Sequence, residues 1–394
     1  MTQGPIDTIK KVTPGAPAAE VEAGDAVRPR TASGTAEPDG PQSLSRRDLV
    51  LVLAAAAALQ ALAWVVIYRI LVANGLGYIP GPTSDISYYA NVAYSVVHGM
   101  VPYRDFPFEY PPLSLIAFLL SPVSGTLEHY IHWFTAEMIA VDVVVAVVTT
   151  VVALRIWRGP GRPLAAAAAF AVCVVAAGAV ATNRFDPVVA LILVLALLCL
   201  AYRRFTLAGA VLGLGFAFKL TPAVAVSLVL VLAGTRRKAG WAALAALVAG
   251  LLPFVPFLIA DAGGVMHSYL GGQLARGLQI ESVAASPYLI AEVVRRGAIT
   301  VGVPARGSLF VVGPGTSLVS SFAPFVVVLL LALVYVAVWR SRTRLRASLE
   351  TVPVVLLALM LASMLGNKVL SLGTSCGCCR SLLSCWLDVR PFTR

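Results

Sequence analysis

The sequence predicts an all-α integral membrane protein with about nine helical spans. Of its 394 residues, 59% are hydrophobic and only 12% are charged, and the mean hydropathy is +0.85. Soluble domains carry about 45–50% apolar and about 25% charged residues. The formal net charge is +11, but the basic residues lie in the gaps between apolar runs. That pattern indicates membrane topology rather than a nucleic-acid surface.

Nine apolar runs are candidates for membrane-spanning helices. A helix needs ~20 apolar residues to cross the ~30 Å hydrocarbon core. We predict spans at 49–73, 131–154, 164–182, 186–201, 206–219, 221–234, 240–259, 322–340 and 351–371. Residues 1–48, rich in Pro, Gly, Ala and Thr, predict a disordered cytoplasmic tail. The first run begins too deep in the chain, and is too long, for a secretory signal, so it is a retained span.

The basic loops predict the orientation, because Lys and Arg accumulate in short cytoplasmic loops. Such residues precede the first span and fill four loops: Arg46/Arg47, Arg155/Arg158/Arg162, Arg203/Arg204, Arg236/Arg237/Lys238 and Arg340/Arg342/Arg344/Arg346. All five lie on the cytoplasmic side if the apolar piece 113–124, too short to cross, lies along the outer face. Segments 74–130 and 261–321 are then outer loops of a membrane domain at 49–371, and 206–234 is a short hairpin.

Asp85 is the first polar residue of interest in the outer loop. It lies in the first turn of a short amphipathic helix predicted within 82–100, which Thr83 or Ser84 caps and Gly99 ends. The apolar stripe consists of Ile86, Tyr89, Ala90, Ala93, Val96 and Val97. Two interpretations stay open: the helix dipole stabilises the carboxylate by roughly 0.3–1 kcal/mol, or the carboxylate is a general base at the membrane interface.

The stretch 103-YRDFPFEYPPL-113 places Arg104, Asp105 and Glu109 among four aromatic residues and three prolines. Proline fixes the backbone and lowers the entropy lost on ordering. Flat aromatic faces, including that of Tyr110, suit sugar rings or lipid headgroups. The alternative is an interfacial aromatic belt, which needs tyrosine but not two acids.

Further charged residues lie in the other predicted outer segments. Arg184 and Asp186 share a tight turn, where we expect them to pair with each other or with a ligand; Arg184 is suited to bidentate binding of a phosphate. Lys219, at the tip of the hairpin, either snorkels to the interface or reaches a cavity in the outer leaflet. Arg276 and Glu281 lie beside a short helix in 273–286.

Asp142 lies in the middle of the second predicted span. An ionisable group at that depth costs a few kcal/mol unless it is paired, so it is a functional candidate. A structural ion pair inside the bundle is the alternative. Cys173 and Cys199 lie in apolar runs and are expected to be inert packing residues. The glycines at 209, 213 and 215 predict close helix packing in the hairpin.

These motifs, in this order, resemble the GT-C polytopic glycosyltransferases. An outer-loop Asp is followed by G-x-x-P-Y-R-D-x-x-x-E-Y-P-P-L (99–113), R-F-D (184–186), a hairpin ending in K-L-x-P (219–222), R-G-L-Q-I-E-S (276–282) and N-K-V (367–369). The chain is most similar to glycosyltransferase family 87, the polyprenol-phosphate-mannose-dependent α-mannosyltransferase-like proteins of actinobacteria. The resemblance implies a GT-C-type helical bundle with the catalytic acid in its first outer loop, here Asp85.

The resemblance also implies the substrates. Nucleotide sugars are not available outside the cytoplasm, so an outward-facing plasma-membrane transferase must use a donor anchored in the bilayer, such as polyprenyl-phosphate mannose. The acceptor would be a cell-envelope glycolipid or lipoglycan. Arg184, Lys219 and Arg276 would meet the phosphate, while Asp105, Glu109 and Asp186 are further candidate substrate contacts. No metal cofactor is required, although a divalent ion between carboxylates stays open.

The last residues depart from the family pattern. Residues 372–394 hold Cys376, Cys378, Cys379 and Cys385, whose spacing fits no metal site. The favoured hypothesis is a frameshifted or truncated C-terminus. Two other functions stay open: a transporter or lipid flippase, which would show inverted repeats and broken helices, and a catalytically inactive relative that keeps the fold.

Overall fold

A computed structural model of the chain describes residues 45–73, 85–157, 161–178, 182–302 and 309–369. The α-helices of these residues are α1 Arg46–Ala73, α2 Asp85–Val97, α3 Ser114–Leu119, α4 Leu127–Ile156, α5 Gly161–Ala177, α6 Asp186–Ala201, α7 Phe205–Phe218, α8 Val226–Leu232, α9 Arg236–Leu251, α10 Val255–Val265, α11 Gly272–Ala275, α12 Ser286–Val294, α13 Thr316–Arg340, α14 Arg342–Ala347 and α15 Val352–Leu365. A small antiparallel sheet pairs β1 Thr300–Gly302 with β2 Phe310–Val312.

The prediction of a helical membrane protein is confirmed. Four helical segments of the described residues are long and apolar enough to cross a membrane: Arg46–Ile70, Leu127–Ile156, Arg236–Ala275 and Thr316–Arg340. Each of the other predicted runs also contains a shorter apolar helix. The segment from 236 to 275 is not straight, because two prolines interrupt it and Asp261 has extended backbone angles. The number of spans stays a prediction.

The segment between α2 and α4 forms an aromatic core rather than an exposed patch. The rings of Tyr103 and Phe108 are buried, with 3% and 0% exposure. Tyr89 stacks on Phe118 with 4.3 Å between the ring centroids. The expectation that these aromatic faces are open to sugars or headgroups is therefore wrong for Tyr103 and Phe108. The sequence shows that this stretch is rich in aromatic rings. It does not show that α2, α3 and α4 supply the side chains that bury them.

Other expectations for this region are confirmed in part. Helix α2 buries Ile86, Tyr89 and Ala93 as predicted, but Val97 is exposed. Gly99 follows the helix with φ +87°, a conformation that favours glycine. The apolar piece 113–124 contains one short helix, α3, and the Leu113 amide donates to the Ala217 carbonyl at the end of α7 over 2.8 Å. This bond fixes the loop against the hairpin.

The hairpin depends on glycine, as predicted. Helices α7 and α9 pack so closely that a Cβ atom on Gly209 would lie 2.2 Å from the Ala242 carbonyl oxygen. A Cβ on Gly213 would meet the Ala246 oxygen at the same distance. A Cβ on Gly215 would lie 2.7 Å from both Ile192 and Pro222. Larger residues at these positions would therefore separate α7 from its neighbours.

Three of the basic loops meet at one end of the bundle, called here the basic end. The Arg203 guanidinium donates to the Arg346 carbonyl over 3.0 Å, and the Arg346 guanidinium donates to the Val231 carbonyl over 2.8 Å. The Arg155 guanidinium lies 4.3 Å from the centroid of the Tyr202 ring. Helix α6 runs from Asp186 to this end, and its 16 residues span about 24 Å.

The ion-pair alternative for Asp142 and the packing expectation for Cys173 are wrong. Asp142 is buried, but it forms no ion pair with any residue that the structure describes. It lies near Trp64, and its Oδ2 has no hydrogen-bond partner within the described ranges. Cys173 is exposed on α5 rather than packed inside the bundle. The C-terminal tail 372–394, Thr83 and Ser84, and all but the last four residues of the tail 1–48 lie outside the described residues.

Candidate functional site

Asp85 and Arg184 meet at the end of the bundle away from the basic end. Asp85 begins α2, and Arg184 lies in the turn before α6. The Arg184 Nε lies 2.8 Å from Asp85 Oδ2, without hydrogen-bond geometry. The guanidinium is buried, whereas the Asp85 carboxylate is 31% exposed. A permanent cation is thus held beside a carboxylate that solutes can reach.

The electrostatics of Arg184 follow from this position. Burial alone lowers the pKa of a guanidinium, because it disfavours the charged form. The Asp85 carboxylate, Tyr89, Tyr110 and the Asp186 carboxylate together outweigh that effect, so the net shift raises the pKa of Arg184. Arg184 therefore stays charged at any physiological pH. Its Nε and Nη1 atoms are buried without a hydrogen-bond partner among the described residues.

Glu281 is the second carboxylate close to this pair. Burial raises its pKa to about 7, Arg184 opposes that shift, and Asp85 adds to it. Both carboxylate oxygens are buried without a hydrogen-bond partner among the described residues. A buried acid without partners is costly unless it is protonated or binds a ligand. Glu281 is therefore poised between its two protonation states near neutral pH.

Lys219 and Asp186 form a second ion pair between different elements. The Lys219 ammonium at the end of α7 donates to Asp186 Oδ1 at the start of α6. It also lies 5.5 Å from the centroid of the Phe185 ring. The alternative that Arg184 and Asp186 pair with each other is wrong, because each has its partner on another element. Their pairing with a ligand stays a prediction. The sequence could not predict these partners, because Asp85 lies far along the chain from Arg184 and Lys219 lies far from Asp186.

Glu109 and Arg276 form a third pair. The Arg276 guanidinium donates to Glu109 Oε2, and both side chains are largely buried. Gln273 donates to the Glu109 carbonyl over 3.1 Å, which ties the loop 101–113 to α11. We call Asp85, Glu109, Arg184, Asp186, Lys219, Arg276 and Glu281 the polar cluster. In it, each of the three predicted phosphate-binding cations contacts a predicted acid.

The remaining predicted site residues occupy two different places. Tyr110 is partly buried beside the cluster, with its ring edge-on to Tyr89 and Phe185. Burial raises the pKa of Tyr110 to about 12, so the phenol stays protonated. Arg104 and Asp105 pair with each other at an exposed turn. Hydrogen bonds from Arg104 and from the Val101 amide lower the pKa of Asp105 to about 2.

Lys368 is a cation that the sequence reasoning left out of the site. Its ammonium donates to the Leu274 carbonyl over 2.9 Å, and its carbonyl accepts from the Gln279 amide. It forms no ion pair with a carboxylate in the described part of the chain. The N-K-V motif at 367–369, quoted above for the family resemblance, was the available signal.

Comparison with known proteins adds the family. The sequence profile of glycosyltransferase family 87 matches residues 108–364. The chain belongs to glycosyltransferase family 87. Searches of curated proteins and of solved structures found no match.

Membership of glycosyltransferase family 87 favours an enzyme over a transporter. The match includes Glu109, Tyr110, Arg184, Asp186, Lys219, Arg276 and Glu281. It begins after Asp85 and ends before Lys368, so the roles of these two residues depend on geometry. Within the residues that the structure describes, no three His, Cys, Asp or Glu side chains lie together as a metal site.

Proposed function

We propose that this membrane glycosyltransferase transfers a hexose from a polyprenyl-phosphate donor to a glycolipid or lipoglycan acceptor of the cell envelope. Mannose is the sugar that the family resemblance favours. The contact between buried Arg184 and accessible Asp85 supports this proposal most directly. It places a fixed cation, suited to a leaving phosphate, beside a carboxylate suited to accept a proton.

The proposed orientation places the polar cluster on the outer face of the plasma membrane. Helix α6 begins at the polar cluster and ends beside Arg203, at the basic end. Basic loops favour the cytoplasmic side, so the opposite end faces outward. An outward site has no access to nucleotide sugars. A sugar carried on a membrane-anchored phosphate is a donor that an outward-facing site can reach.

In the proposed reaction, the acceptor hydroxyl oxygen attacks the anomeric carbon of the donor. The bond from that carbon to the phosphate oxygen breaks as the new glycosidic bond forms. Asp85 takes the hydroxyl proton, and the polyprenyl phosphate leaves as the anion. This single displacement inverts the configuration, so a β-linked donor gives an α product. The geometry required is a hydroxyl within ~2.6–3.2 Å of the carboxylate.

The ion pairs prepare cations for the leaving phosphate. Arg184, Lys219 and Arg276 are each held by a carboxylate, which keeps the side chains ordered before substrate binds. Charge that develops on the phosphate is stabilised most by donors already in place, because no reorganisation is needed during the reaction. The scheme requires no metal, and a divalent ion between carboxylates would be an addition to it.

The sugar contacts are assigned to the carboxylates nearest the Asp85–Arg184 pair. Glu281 offers two oxygens without partners, and Glu109 is held by Arg276. Tyr110 packs against this region. Arg104 and Asp105 lie at an exposed turn apart from the cluster, so we place them at its edge, where only a long acceptor would reach them.

The test is a comparison of donors in proteoliposomes that contain the full chain. Labelled polyprenyl-phosphate mannose and labelled GDP-mannose would be supplied separately with an extract of envelope glycolipids. The proposal predicts label in a glycolipid only with the polyprenyl donor. Transfer from GDP-mannose alone would overturn the proposed donor class, and transfer of another polyprenyl-linked sugar alone would correct only the sugar.

A further inference from the structure

Contacts with neighbouring helix ends hold three of the arginines at the basic end. The Arg155 guanidinium lies over the Tyr202 ring, 4.3 Å from its centroid. The next residue, Arg203, donates from its guanidinium to the Arg346 carbonyl over 3.0 Å. The Arg346 guanidinium donates in turn to the Val231 carbonyl over 2.8 Å. One connected chain of contacts therefore joins the ends of α4, α6, α8 and α14.

The charges of these arginines are not neutralised by acids. None of the three forms an ion pair with a carboxylate that the structure describes. Glu350, the acid nearest to Arg346 along the chain, forms none either. Carbonyls and a ring face hold the guanidiniums instead. Arg203 and Arg346 each use one of five N–H groups in these bonds, so most of their donors stay free for a further partner.

Arg203 occupies a backbone position at which glycine is usual. In the turn that ends α6, the Arg203 amide donates to the Leu200 carbonyl over 2.9 Å. The Arg204 amide donates to the Cys199 carbonyl over 2.8 Å. This pattern puts Arg203 at φ +57°, in the left-handed region that glycine adopts without strain. An arginine there indicates that its exposed side chain has a use that glycine could not serve.

Exposed aromatic rings place these cations at the depth of the lipid headgroups. Tyr202, which contacts Arg155 and precedes Arg203, is 47% exposed. Trp339, near the end of α13, is 57% exposed, and the Arg342 guanidinium lies 4.6 Å from the centroid of its ring. Tyrosine and tryptophan are enriched at membrane–water interfaces, where their rings lie at headgroup level. The neighbouring arginines are then level with the lipid phosphates.

We propose that Arg155, Arg203 and Arg346 bind the phosphate of an anionic phospholipid in the leaflet that borders the basic end. Guanidiniums form bidentate, charge-assisted hydrogen bonds with phosphate. Basic pockets between membrane helices on the cytoplasmic side bind anionic headgroups in other proteins. The bound lipid would stabilise the contacts that join the four helix ends. The site lies opposite the polar cluster, so it depends on neither the proposed donor nor the proposed reaction.

Lipid binding to the purified full chain tests this site. Native mass spectrometry in a neutral detergent would record occupancy as phosphatidylglycerol or phosphatidylcholine is added, and wild type should bind phosphatidylglycerol more tightly. Arg155→Gln with Arg203→Gln should weaken phosphatidylglycerol binding about 25-fold, because each cation near a headgroup contributes about fivefold. Arg203→Gly alone should weaken it about fivefold. Because glycine suits this turn, that variant should keep the wild-type thermal unfolding midpoint.

The matched control is Arg295→Gln with Arg296→Gln, which removes two exposed cations after α12, outside the basic end. It should bind phosphatidylglycerol as wild type does. An equal loss in this control and in Arg155→Gln with Arg203→Gln would show attraction to net charge alone and would overturn the site. Wild-type binding by Arg155→Gln with Arg203→Gln would also overturn it. Competition by soluble glycerol 3-phosphate as strong as that by phosphatidylglycerol would overturn the assignment to a lipid.

Discussion

Arg184 combines burial, permanent charge and contact with an accessible acid. Its Nε and Nη1 atoms have no hydrogen-bond partner in the described structure. Unmet donors of a buried guanidinium are costly, so a substrate anion that binds them recovers free energy that the empty site lacks. The same argument applies to the two oxygens of Glu281. The unmet groups of the site therefore match a substrate that carries both a phosphate and hydroxyls.

Replacing Arg184 tests the role of the fixed cation. We expect Arg184→Gln to lower the turnover number about 100-fold, because one preorganised group near the developing charge is lost. Initial rates of transfer from polyprenyl-phosphate mannose would measure it. Lys238→Gln, which removes a cation at the basic end, is the control and should keep the wild-type rate. Equal rates for Arg184→Gln and wild type would show that Arg184 does not stabilise the reaction.

Glu281 should give the enzyme a pH dependence near neutrality. With a pKa of about 7, its carboxyl is protonated below pH 7 and ionised above it. A transfer rate that depends on this group should change with a midpoint near pH 7, and Glu281→Gln should remove that midpoint. Transfer rates of wild type and Glu281→Gln, measured from pH 5.5 to 8.5, would show whether the midpoint depends on Glu281. A midpoint that persists in Glu281→Gln would assign it to another group.

The same shift has a consequence for stability. The pKa in the folded state lies above the ordinary value of 4.5, so the folded state binds more protons than the unfolded state between about pH 4.5 and 7. Stability therefore falls as pH rises through this window. Glu281→Gln should reduce the fall, and thermal unfolding at pH 5 and pH 8 would measure it. An identical fall in wild type and variant would contradict the assignment.

At the scale of elements, the hairpin α7–α8 holds Lys219 in place through close helix packing. Gly213 has no room for a side chain, because the carbonyl of Ala246 would lie 2.2 Å from its Cβ. Lys219 directly follows the last residue of α7. The Leu113 amide donates to the carbonyl of Ala217, which lies on the last turn of α7. A shift of α7 would therefore displace both Lys219 and the loop that carries Glu109.

Gly213→Ala should destabilise the protein by roughly 1–3 kcal/mol, the usual cost of overpacking. Gly240→Ala is a matched control, because nothing lies within 4 Å of its Cβ position on α9. Alanine there should be neutral or stabilising by up to about 1 kcal/mol. Thermal unfolding in detergent would compare the two variants. Equal stability of both would show that α7 and α9 are not in tight contact.

At the scale of the whole molecule, the helices were predictable and the pairing of charges was not. Each run that hydropathy predicted contains an apolar helix, because a segment that crosses the bilayer must be a long apolar helix. The ion pairs join residues far apart in sequence, as in Glu109 with Arg276, and no local pattern specifies such partners. Proximity along the chain instead suggested Arg184 with Asp186, which is wrong.

The aromatic loop shows the same limit. Its residues were recognised as unusual, but burial of Tyr103 and Phe108 depends on α2, α3 and α4, which pack around them. The site residue Lys368 was overlooked for a related reason. Its partners, Leu274 and Gln279, lie about 90 residues earlier in the chain. Tertiary contacts, rather than residue type, decide which charged residues belong to the site.

The topology makes a prediction for the whole molecule. In a variant without its six cysteines, a single cysteine at Met100 should react with a membrane-impermeant thiol reagent added to intact cells. A single cysteine at Lys238 should react only after the membrane is opened. Both positions are exposed. The reverse pattern would place the polar cluster on the cytoplasmic side and remove the reason for a lipid-linked donor.

The most direct test of the central claim is sugar transfer by the Asp85→Asn variant. Asparagine keeps the size of the side chain but cannot accept the acceptor's proton. In proteoliposomes with polyprenyl-phosphate mannose, we expect transfer by wild type and a loss of at least about 100-fold in Asp85→Asn, while binding of polyprenyl phosphate stays within about threefold. Transfer by Asp85→Asn at the wild-type rate would contradict the account, because the base would then be another group.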